Sequence, residues 1–425
     1  MKTTSTAAAS IAGQQDLVAQ VPRISIHVYC DTQQTAEMAQ HAAADRRMQR
    51  AHTSVHLGGI TAAFHAFQTQ ATPNLLIVES RSPRDVILSE LATLAEVCQA
   101  ETKVVVIGHV NDVLLYREMM QRGVSEYLVA PLHQMQLVEA IASLYQGAAA
   151  TPVGRTLAFM GTKGGVGSSS LAHNVGWAIS RNGNVETVIA DLDIAFGTAG
   201  LNFNQDIAPG IMEVLGQPDR VDPTLLERML TKAGEKLSIF GGPGGVEREF
   251  QIEPAAVESI LTALRASVPV TVIDLPALWA PWVKYTLMQA DQVIITATPD
   301  LPSLRNARSL VDTLKAGRPN DAPPMLILNQ TGVPKRPEIS AADFGKAVGV
   351  PVTVIIPYDA QSFGVAQSNG QMVFEIAPKS KTAAAMSGLV QQLVRTDKAD
   401  KADKAVQKSS LTAALMKKLS LPRKK

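Results

Sequence analysis

The stretch GTKGGVGSSSLAHNVGWAIS, residues 161–180, follows the apolar run TLAFM at 156–160. A strand, a glycine-rich turn and an amphipathic helix therefore follow one another along the chain. Glycines let successive backbone N–H groups turn inward around an anion, and the helix N-terminus adds the positive end of its dipole. Gly164, Gly165 and Gly167 supply that cradle. The stretch predicts a phosphate-binding loop in an α/β fold.

The loop departs from the common GxxxxGK[ST] pattern at two positions. The first glycine position falls on Thr162 and the lysine position on Ser168, whereas Ser169 keeps the hydroxyl that ligates Mg²⁺. A lysine stands instead at Lys163, directly before the glycine pair. A glycine-rich loop alone is a weak signal, so the interpretation depends on the rest of the chain.

Three further apolar runs end in polar side chains: VIADLD (188–193), VTVIDLP (270–276) and MLILNQ (325–330). Their terminal side chains are Asp191 and Asp193, Asp274, and Asn329. In an open parallel sheet, ligands bind at the carboxyl edge of the strands. We therefore expect these side chains to lie around the loop.

KGGVGSS and these strand ends together resemble the motifs of the MinD/ParA superfamily, whose deviant Walker A box reads xKGGxGK[ST]. The resemblance implies that ATP and Mg²⁺ are cofactors, that Ser169 and Asp274 hold the metal, and that Asp193 orients the attacking water. Lys163 would reach across a homodimer to the partner's phosphates. The nucleotide-binding set implied in this way is Lys163, Gly164, Gly165, Val166, Gly167, Ser168, Ser169, Ser170 and Asn329.

Residues 23–147 predict a second α/β domain, because short apolar runs alternate with stretches long enough for helices. The spacing resembles a response-regulator receiver domain, which implies a flavodoxin-like fold. Glu79 stands where such a domain has its phosphate-accepting Asp, and Gly108 and Ala130 stand at its hydroxyl and lysine positions. We expect a receiver-like domain used for protein contact, without phosphotransfer; an unrelated small α/β domain is the alternative.

Five segments follow from these boundaries: a disordered leader at 1–22, the atypical receiver-like domain at 23–147, a linker at 148–153, a MinD/ParA-like P-loop NTPase domain with a mostly parallel sheet at 154–395, and a basic tail at 396–425. This order resembles the CpaE/TadZ family of Flp/Tad pilus assembly proteins. DLDIAFGTAGLNFNQD (191–206), IPYDAQSFGVAQSNGQM (356–372) and KSKTAAAM (379–386) add to the resemblance. It implies a cytoplasmic, ATP-binding dimer that recruits pilus or secretion components to the inner membrane or cell pole.

The absence of the loop lysine at Ser168 has a kinetic consequence. Removing a group aimed at developing charge commonly costs about 10²–10³ in rate. We expect ATP binding with slow or absent hydrolysis. Two alternatives stay open: an active ParA/MinD-type ATPase that positions DNA or a division apparatus, and a relic loop whose Asp191, Asp193 and Asp274 only cap turns.

Charge is unevenly distributed along the chain. The 425 residues include 39 basic and 38 acidic side chains, a net charge of +1 that excludes a globally basic nucleic-acid binder. Residues 396–425 alone carry nine basic and three acidic side chains. Within them Leu411, Leu415 and Leu419 recur every fourth residue, which predicts either an amphipathic segment on an anionic membrane or a disordered tail.

Three smaller features complete the sequence. His52 and His56 stand four apart, the spacing of one helix face, but no third metal ligand can be identified beside them, so ordinary surface or partly buried histidines are expected. GGPGG at 241–245 predicts a flexible loop, and LWAPW at 278–282 predicts either a partner contact or simple packing. Cys30 and Cys98 belong to no cysteine cluster, which argues against a disulfide framework or a thiolate metal site.

Overall fold

The computed structural model describes residues 18, 20–145, 154–207, 210–216, 223–242 and 251–394. They form two compact units, a smaller one that ends before residue 152 and a larger one that follows it. The predicted linker, the basic tail and most of the predicted leader lie outside the described residues. Among the described helices, none combines the length and the apolar character needed to span a membrane.

The smaller unit is a five-stranded parallel sheet with the strand order β2-β1-β3-β4-β5. Its elements are β1 (Ser25–Cys30), α1 (Gln33–Ala43), β2 (His52–Leu57), α2 (Gly59–Phe67), β3 (Leu75–Ser80), α3 (Arg84–Ala95), β4 (Lys103–Gly108), α4 (Val113–Gln121), β5 (Glu126–Val129) and α5 (Gln134–Tyr145).

Strand order and burial in this unit agree with the predicted flavodoxin-like fold. The order 2-1-3-4-5 is that of flavodoxin-like doubly wound sheets. Every residue of the central strand β3 is buried, as expected of a parallel strand covered on both faces. The two faces pack into separate apolar clusters, one against α1 and α5 and the other against α2, α3 and α4.

Strand β2 is an element that the hydrophobic pattern does not predict. Its sequence, HTSVHL, is largely polar and only half-buried because it lies at the sheet edge. His52 and His56 thus lie on a strand and not on a helix. A spacing of four residues places side chains on one face of either element, so the spacing could not distinguish them.

The larger unit is built on an eight-stranded sheet with the order β13-β12-β11-β6-β10-β7-β9-β8, in which only the β8–β9 pairing is antiparallel. Its elements are β6 (Arg155–Gly161), α6 (Ser168–Asn182), β7 (Thr187–Asp191), α7 (Ala199–Asn202), α8 (Gly210–Gly216), α9 (Pro223–Met229), β8 (Thr231–Lys232), β9 (Leu237–Phe240), α10 (Pro254–Ser267), β10 (Val270–Leu275), α11 (Pro281–Gln289), β11 (Gln292–Ala297), α12 (Leu301–Gly317), β12 (Met325–Thr331), α13 (Ala341–Val348), β13 (Val352–Pro357), α14 (Ala360–Asn369), α15 (Val373–Ile376) and α16 (381–394).

The core of this unit places the glycine-rich turn at the middle of the sheet. Strand β6 is buried throughout and is hydrogen-bonded to β10 on one side and β11 on the other. Apolar side chains from α6 and α16 cover one face, and those from α10, α11 and α12 cover the other. The predicted mostly parallel P-loop sheet is confirmed, and its carboxyl edge carries all the motif side chains.

Candidate nucleotide site

The glycine-rich loop connects β6, which ends at Gly161, to α6, which begins at Ser168. Gly165 and Gly167 have φ values of 78° and 87°, a left-handed conformation that glycine adopts without steric cost. A Cβ atom added at Gly164 or Gly165 would meet nothing within 4 Å. The backbone of the glycine pair is therefore open to an approaching ligand.

Side chains at the end of β12 hold this loop in place. Asn329 Nδ2 donates to the carbonyl oxygen of Val166 at 2.8 Å, and Gln330 Nε2 donates to that of Gly165 at 2.9 Å. A Cβ at Gly167 would lie only 2.6 Å from Asn329 Nδ2, so glycine is required there. The sequence placed Asn329 at the site but missed Gln330, although both end the same apolar run.

Several buried polar atoms around the loop lack a hydrogen-bond partner within the described structure. They are Thr162 Oγ1, Ser168 Oγ, Asp274 Oδ1 and Asn329 Oδ1. Buried polar groups are ordinarily paired, so a group of unpaired ones at one sheet edge needs an explanation. Backbone N–H groups, hydroxyls and a carboxylate suit phosphate and Mg²⁺, and the residues present fit both groups.

The buried carboxylates of the second and third motifs lie side by side, because β7 and β10 pair in register at Asp191 and Asp274. A histidine from α6 joins them: His173 Nε2 lies 3.4 Å from Asp274 Oδ2. One ligand atom from each of the three residues lies within 4.8 Å of the others. The group could hold a cation.

The pKa values in this group follow from burial and mutual charge. Burial, and then the charge of Asp274, raise the pKa of Asp191 to about 6. Burial alone would lower the pKa of His173, but its hydrogen bond and charge interaction with Asp274 raise it above the usual value. A cation bound here would relieve the repulsion between the two carboxylates.

Asp191 and Asp193 also stabilise the turn after β7. Asp191 Oδ1 accepts from the backbone N–H of Asp193 at 3.1 Å, and Asp191 Oδ2 accepts from that of Ala199 at 3.0 Å. Asp193 Oδ1 accepts from the N–H of Phe196 at 3.1 Å. These bonds agree with the relic alternative for Asp191 and Asp193, whereas Asp274 Oδ1 is buried and has no hydrogen-bond partner among the described residues.

His173 is a site residue that the sequence did not predict. It is fully buried, and its Nδ1 lies 2.8 Å from the Nδ2 of Asn202, which donates to it. The imidazole thus connects Asp274 on β10 to α7, the short helix that follows the second motif. A histidine inside an amphipathic helix gives no local signal of such a contact, because its partners lie far away in the chain.

Lys163 forms an ion pair within its own chain. Its Nζ lies 2.9 Å from Asp300 Oδ2, and the two side chains are 40% and 30% exposed. Burial raises the pKa of Asp300, but hydrogen bonds from Thr298, the N–H of Ser303 and Lys163 outweigh it and hold the pKa at about 2. Asp300 is therefore ionised, and the lysine of the loop is held at the start of α12.

Several large apolar side chains are exposed after the carboxyl ends of strands in this sheet. Phe196 is 73% exposed, Leu301 71%, Leu278 52% and Trp279 50%. Each follows the carboxyl end of β7, β10 or β11, so all four share the sheet edge that carries the loop. Trp282, in contrast, is buried in the core. For LWAPW the sequence left two alternatives, a partner contact or simple packing. Residues 278–279 are exposed and so available for a contact, whereas residue 282 is packed in the core.

In the smaller unit, the carboxylate of Glu79 at the end of β3 is surrounded by hydrogen-bond donors. Glu79 is fully buried, and its carboxylate accepts hydrogen bonds from the N–H groups of Asp31 and Thr32, from the hydroxyls of Thr32 and Thr35, and from His109 Nε2. The donors of the pocket are thus already engaged by the chain's own carboxylate. The absence of phosphotransfer in this unit stays a prediction.

Comparisons with known proteins place these features among known folds. No protein-family profile matches the chain. A pilus assembly protein CpaE from Caulobacter crescentus, known from a crystal structure, is 49% identical to this chain in sequence. The match covers 30% of this chain and 97% of the CpaE chain, with a TM-score of 0.29. The crystal structure of a putative CpaE2 pilus assembly protein from Sinorhizobium meliloti shows 40% sequence identity to this chain. The match covers 28% of this chain and 99% of the CpaE2 chain, with a TM-score of 0.28. The relation to both proteins rests on sequence identity over nearly the full length of each relative. The matched region is the N-terminal portion of this chain.

The larger unit is similar to nucleotide-binding proteins. The septum site-determining protein MinD of Pyrococcus horikoshii, solved in complex with Mg-ADP, is 20% identical and covers 56% of this chain and 95% of that one, with a TM-score of 0.50. That likeness shows the fold alone. An uncharacterized ATP-binding protein of Methanocaldococcus jannaschii is 26% identical over 168 residues, which are 37% of this chain and 58% of the relative's length.

Proposed function

Because this chain belongs to the CpaE pilus assembly proteins, within the MinD/ParA superfamily, we propose that it is a nucleotide-dependent dimeric localisation and assembly factor. It would serve a Flp/Tad pilus secretion system, bind ATP with Mg²⁺, and hydrolyse ATP slowly or not at all. One observation carries the proposal: an open glycine cradle lies at the same sheet edge as the unpaired buried atoms of Ser168 and Asp274.

Each motif residue has a role in this proposal. The backbone N–H groups of residues 163–170 bind the phosphates, and Ser169 with Asp274 would hold Mg²⁺, which when bound neutralises phosphate charge. Asp193, half-buried at the edge of the site, orients a water molecule. Asn329 fixes the loop through its bond to Val166. His173 keeps Asp274 in position from behind.

The gating of dimerisation rests on Lys163 and on the exposed apolar side chains at the same sheet edge. Lys163 is paired with Asp300 in its own chain and must leave that pair to reach a partner's phosphates. Phe196, Leu278, Trp279 and Leu301 offer apolar area for a second copy at the same edge. Nucleotide would therefore favour the dimer by giving Lys163 a stronger anionic partner than Asp300.

Calorimetric titration of the full chain with ATP at millimolar Mg²⁺ tests the nucleotide site. We expect stoichiometric binding, weakened by Ser169→Ala and unchanged by Ser309→Ala, a matched hydroxyl removal at an exposed position of α12. If ATP binding to the unsubstituted chain is undetectable, the proposal is contradicted and the loop is a relic that binds no nucleotide.

We propose further that the basic tail, which lies outside the described residues, brings the protein to the inner membrane. Each basic residue near an anionic surface adds on the order of 1 kcal/mol. Sedimentation with anionic liposomes should recover the full chain and not one truncated after residue 408. Equal recovery of the two would remove this part of the proposal.

A further inference from the structure

Three metal-ligating side chains meet inside the larger unit, one helical turn further along α6 than Ser169. They are His173 of α6, Asp191 at the end of β7 and Asp274 on β10, and all three are buried. Ser169 and His173 are four residues apart on one face of the helix, which separates them by about 6 Å along its axis. The group is therefore a different position from the one at which Ser169 and a nucleotide would share Mg²⁺.

Two polar atoms of this group are buried and have no hydrogen-bond partner among the described residues: His173 Nε2 and Asp274 Oδ1. His173 Nε2 lies 3.4 Å from Asp274 Oδ2, which is longer than a normal N–H···O hydrogen bond. Buried polar groups almost always find a partner, and buried charges are ordinarily paired or coordinate a metal. One imidazolium would balance only one of the two carboxylates, so positive charge is lacking in this group.

The separations within the group suit the ligands of a single ion. Bonds of about 2.0–2.2 Å from an ion to nitrogen and oxygen place neighbouring ligand atoms roughly 3.0–3.5 Å apart at octahedral or tetrahedral angles. The 3.4 Å between His173 Nε2 and Asp274 Oδ2 lies in that range. All three ligand atoms lie within 4.8 Å of one another, so shifts of about 1 Å bring Asp191 onto the same ion. Each oxygen of Asp191 accepts one backbone N–H and keeps a second lone pair for the ion.

We propose that His173 Nε2, Asp191 and Asp274 bind a divalent transition-metal ion, of the series from Mn²⁺ to Zn²⁺, in the absence of nucleotide. Imidazole nitrogen is a ligand that these ions accept readily, whereas Mg²⁺ and Ca²⁺ are bound by oxygen. The two carboxylates balance the double positive charge of the ion. The ion joins α6 to the ends of β7 and β10, which pair in register at Asp191 and Asp274.

The side-chain amide of Asn202 sets which nitrogen of His173 is free to ligate. Ligation through Nε2 requires the proton on Nδ1, which lies 2.8 Å from the amide of Asn202. Rotating that amide end for end presents its oxygen to Nδ1–H, because the oxygen and nitrogen of an amide occupy equivalent positions. The hydroxyl of Thr198, 3.4 Å from the same amide, can donate or accept and so pairs with either orientation. A histidine that binds a metal ordinarily donates its other N–H in this way.

Electron paramagnetic resonance of the full chain titrated with MnCl₂, without nucleotide and at millimolar Mg²⁺, tests the site, because free and bound Mn²⁺ have different spectra. We expect one tightly bound Mn²⁺ per chain, with the nitrogen modulation of a coordinated imidazole in the pulsed spectrum. His173→Gln should lose that modulation and raise the dissociation constant at least tenfold. His65→Gln is the matched control, because His65 is an exposed histidine of α2 in the smaller unit, and it should bind Mn²⁺ as the unsubstituted chain does.

Asn202→Asp separates ligation from a loss of folding, because the expected result is a gain. An aspartate at this half-buried position only accepts from Nδ1–H of His173 and so leaves Nε2 free for the ion. Changes to the hydrogen-bond partner of a ligating histidine alter metal affinity by about 10–100-fold, and we expect Mn²⁺ binding to tighten by about tenfold. Weaker binding by Asn202→Asp would contradict ligation through Nε2.

Three outcomes of the Mn²⁺ titration would overturn the assignment. They are no stoichiometric binding to the unsubstituted chain, bound Mn²⁺ without nitrogen modulation, and binding with modulation that survives in His173→Gln. The first would reduce the group to an ion pair between His173 and Asp274. Unchanged circular dichroism of His173→Gln verifies its fold. No nucleotide is present, so the result is independent of the proposed function, which the titration with ATP tests separately.

Discussion

Ser168 occupies the position at which a phosphate loop ordinarily carries its lysine. Its Oγ is buried and unpaired in the described structure. Restoring the lysine, Ser168→Lys, would place a positive charge at the phosphates, and we expect ATP turnover to rise by about 10²–10³. Phosphate release by the purified full chain measures the rate.

Ser168→Ala is the matched control for this substitution, because it removes the unpaired hydroxyl without adding charge. We expect no gain in turnover from it. Rapid turnover by the unsubstituted chain, independent of protein concentration, would support an active ATPase of the ParA/MinD type and contradict the slow switch.

Asp300 holds Lys163 within its own chain, so releasing the lysine should favour the dimer. An ion pair this exposed is worth about 0–1 kcal/mol, and Asp300→Asn should therefore tighten ATP-linked dimerisation by a few-fold at most. Asn still caps α12, where Asp300 Oδ1 accepts from the N–H of Ser303. Sedimentation equilibrium with ATP measures the change.

Asp312→Asn removes the acid of a more exposed ion pair, the one with Arg308 on the same helix. It should leave dimerisation unchanged. If both variants behave alike, or if Asp300→Asn weakens the dimer, the pair with Lys163 does not restrain association.

At the scale of single elements, β3 ends in the buried Glu79, whose carboxylate organises the start of α1 and the loop after β4. Glu79→Ala would remove the acceptor of the part-buried N–H groups of Asp31 and Thr32 and of the buried hydroxyl of Thr35. We expect a loss of about 1–3 kcal/mol in the stability of this unit. Hydrogen exchange of the full chain should show faster exchange in β3, with β10 unaffected.

The same carboxylate gives a pH dependence whose sign is fixed. Burial raises the pKa of Glu79, but hydrogen bonds from Thr35, Thr32 and His109 outweigh it and hold the pKa below its ordinary value of 4.5. The stabilisation is complete above the unfolded-state pKa and is lost as the pH falls through the folded one. The unsubstituted chain should therefore lose protection of β3 in acid more steeply than Glu79→Gln; parallel losses would contradict the assignment.

The secondary structure that the sequence predicts best is that of buried strands. β3, β6 and β10 are continuous apolar runs, and their ends carry the polar side chains that were expected at the sheet edge. β2 could not be predicted in this way because an edge strand buries little, and HTSVHL therefore lacks an apolar pattern. The ring contact between His27 and His56, whose centroids are 5.9 Å apart, depends on pairing that unpredicted strand with β1.

At the scale of the whole molecule, the fold of both units follows from the order of strands and motifs along the chain. The side-chain contacts within the site do not follow from that order. The contacts Asn329–Val166, Lys163–Asp300 and His173–Asp274 each join residues on different strands or helices far apart in the chain. Local patterns carry no information on such pairs; the sheet order creates them. The family resemblance supplied the expected roles of the motif residues. The contacts in the structure identify Gln330, His173 and Asp300 as further residues of the site.

The central claim is that nucleotide gates a dimer through Lys163, and sedimentation velocity of the full chain with and without ATP and Mg²⁺ tests it most directly. Lys346→Ala, at a distant position of α13, is the matched control. We predict that ATP shifts the unsubstituted chain and Lys346→Ala to twice the monomer mass, while Lys163→Ala stays monomeric. ATP-dependent dimerisation of Lys163→Ala equal to that of the unsubstituted chain would contradict the account.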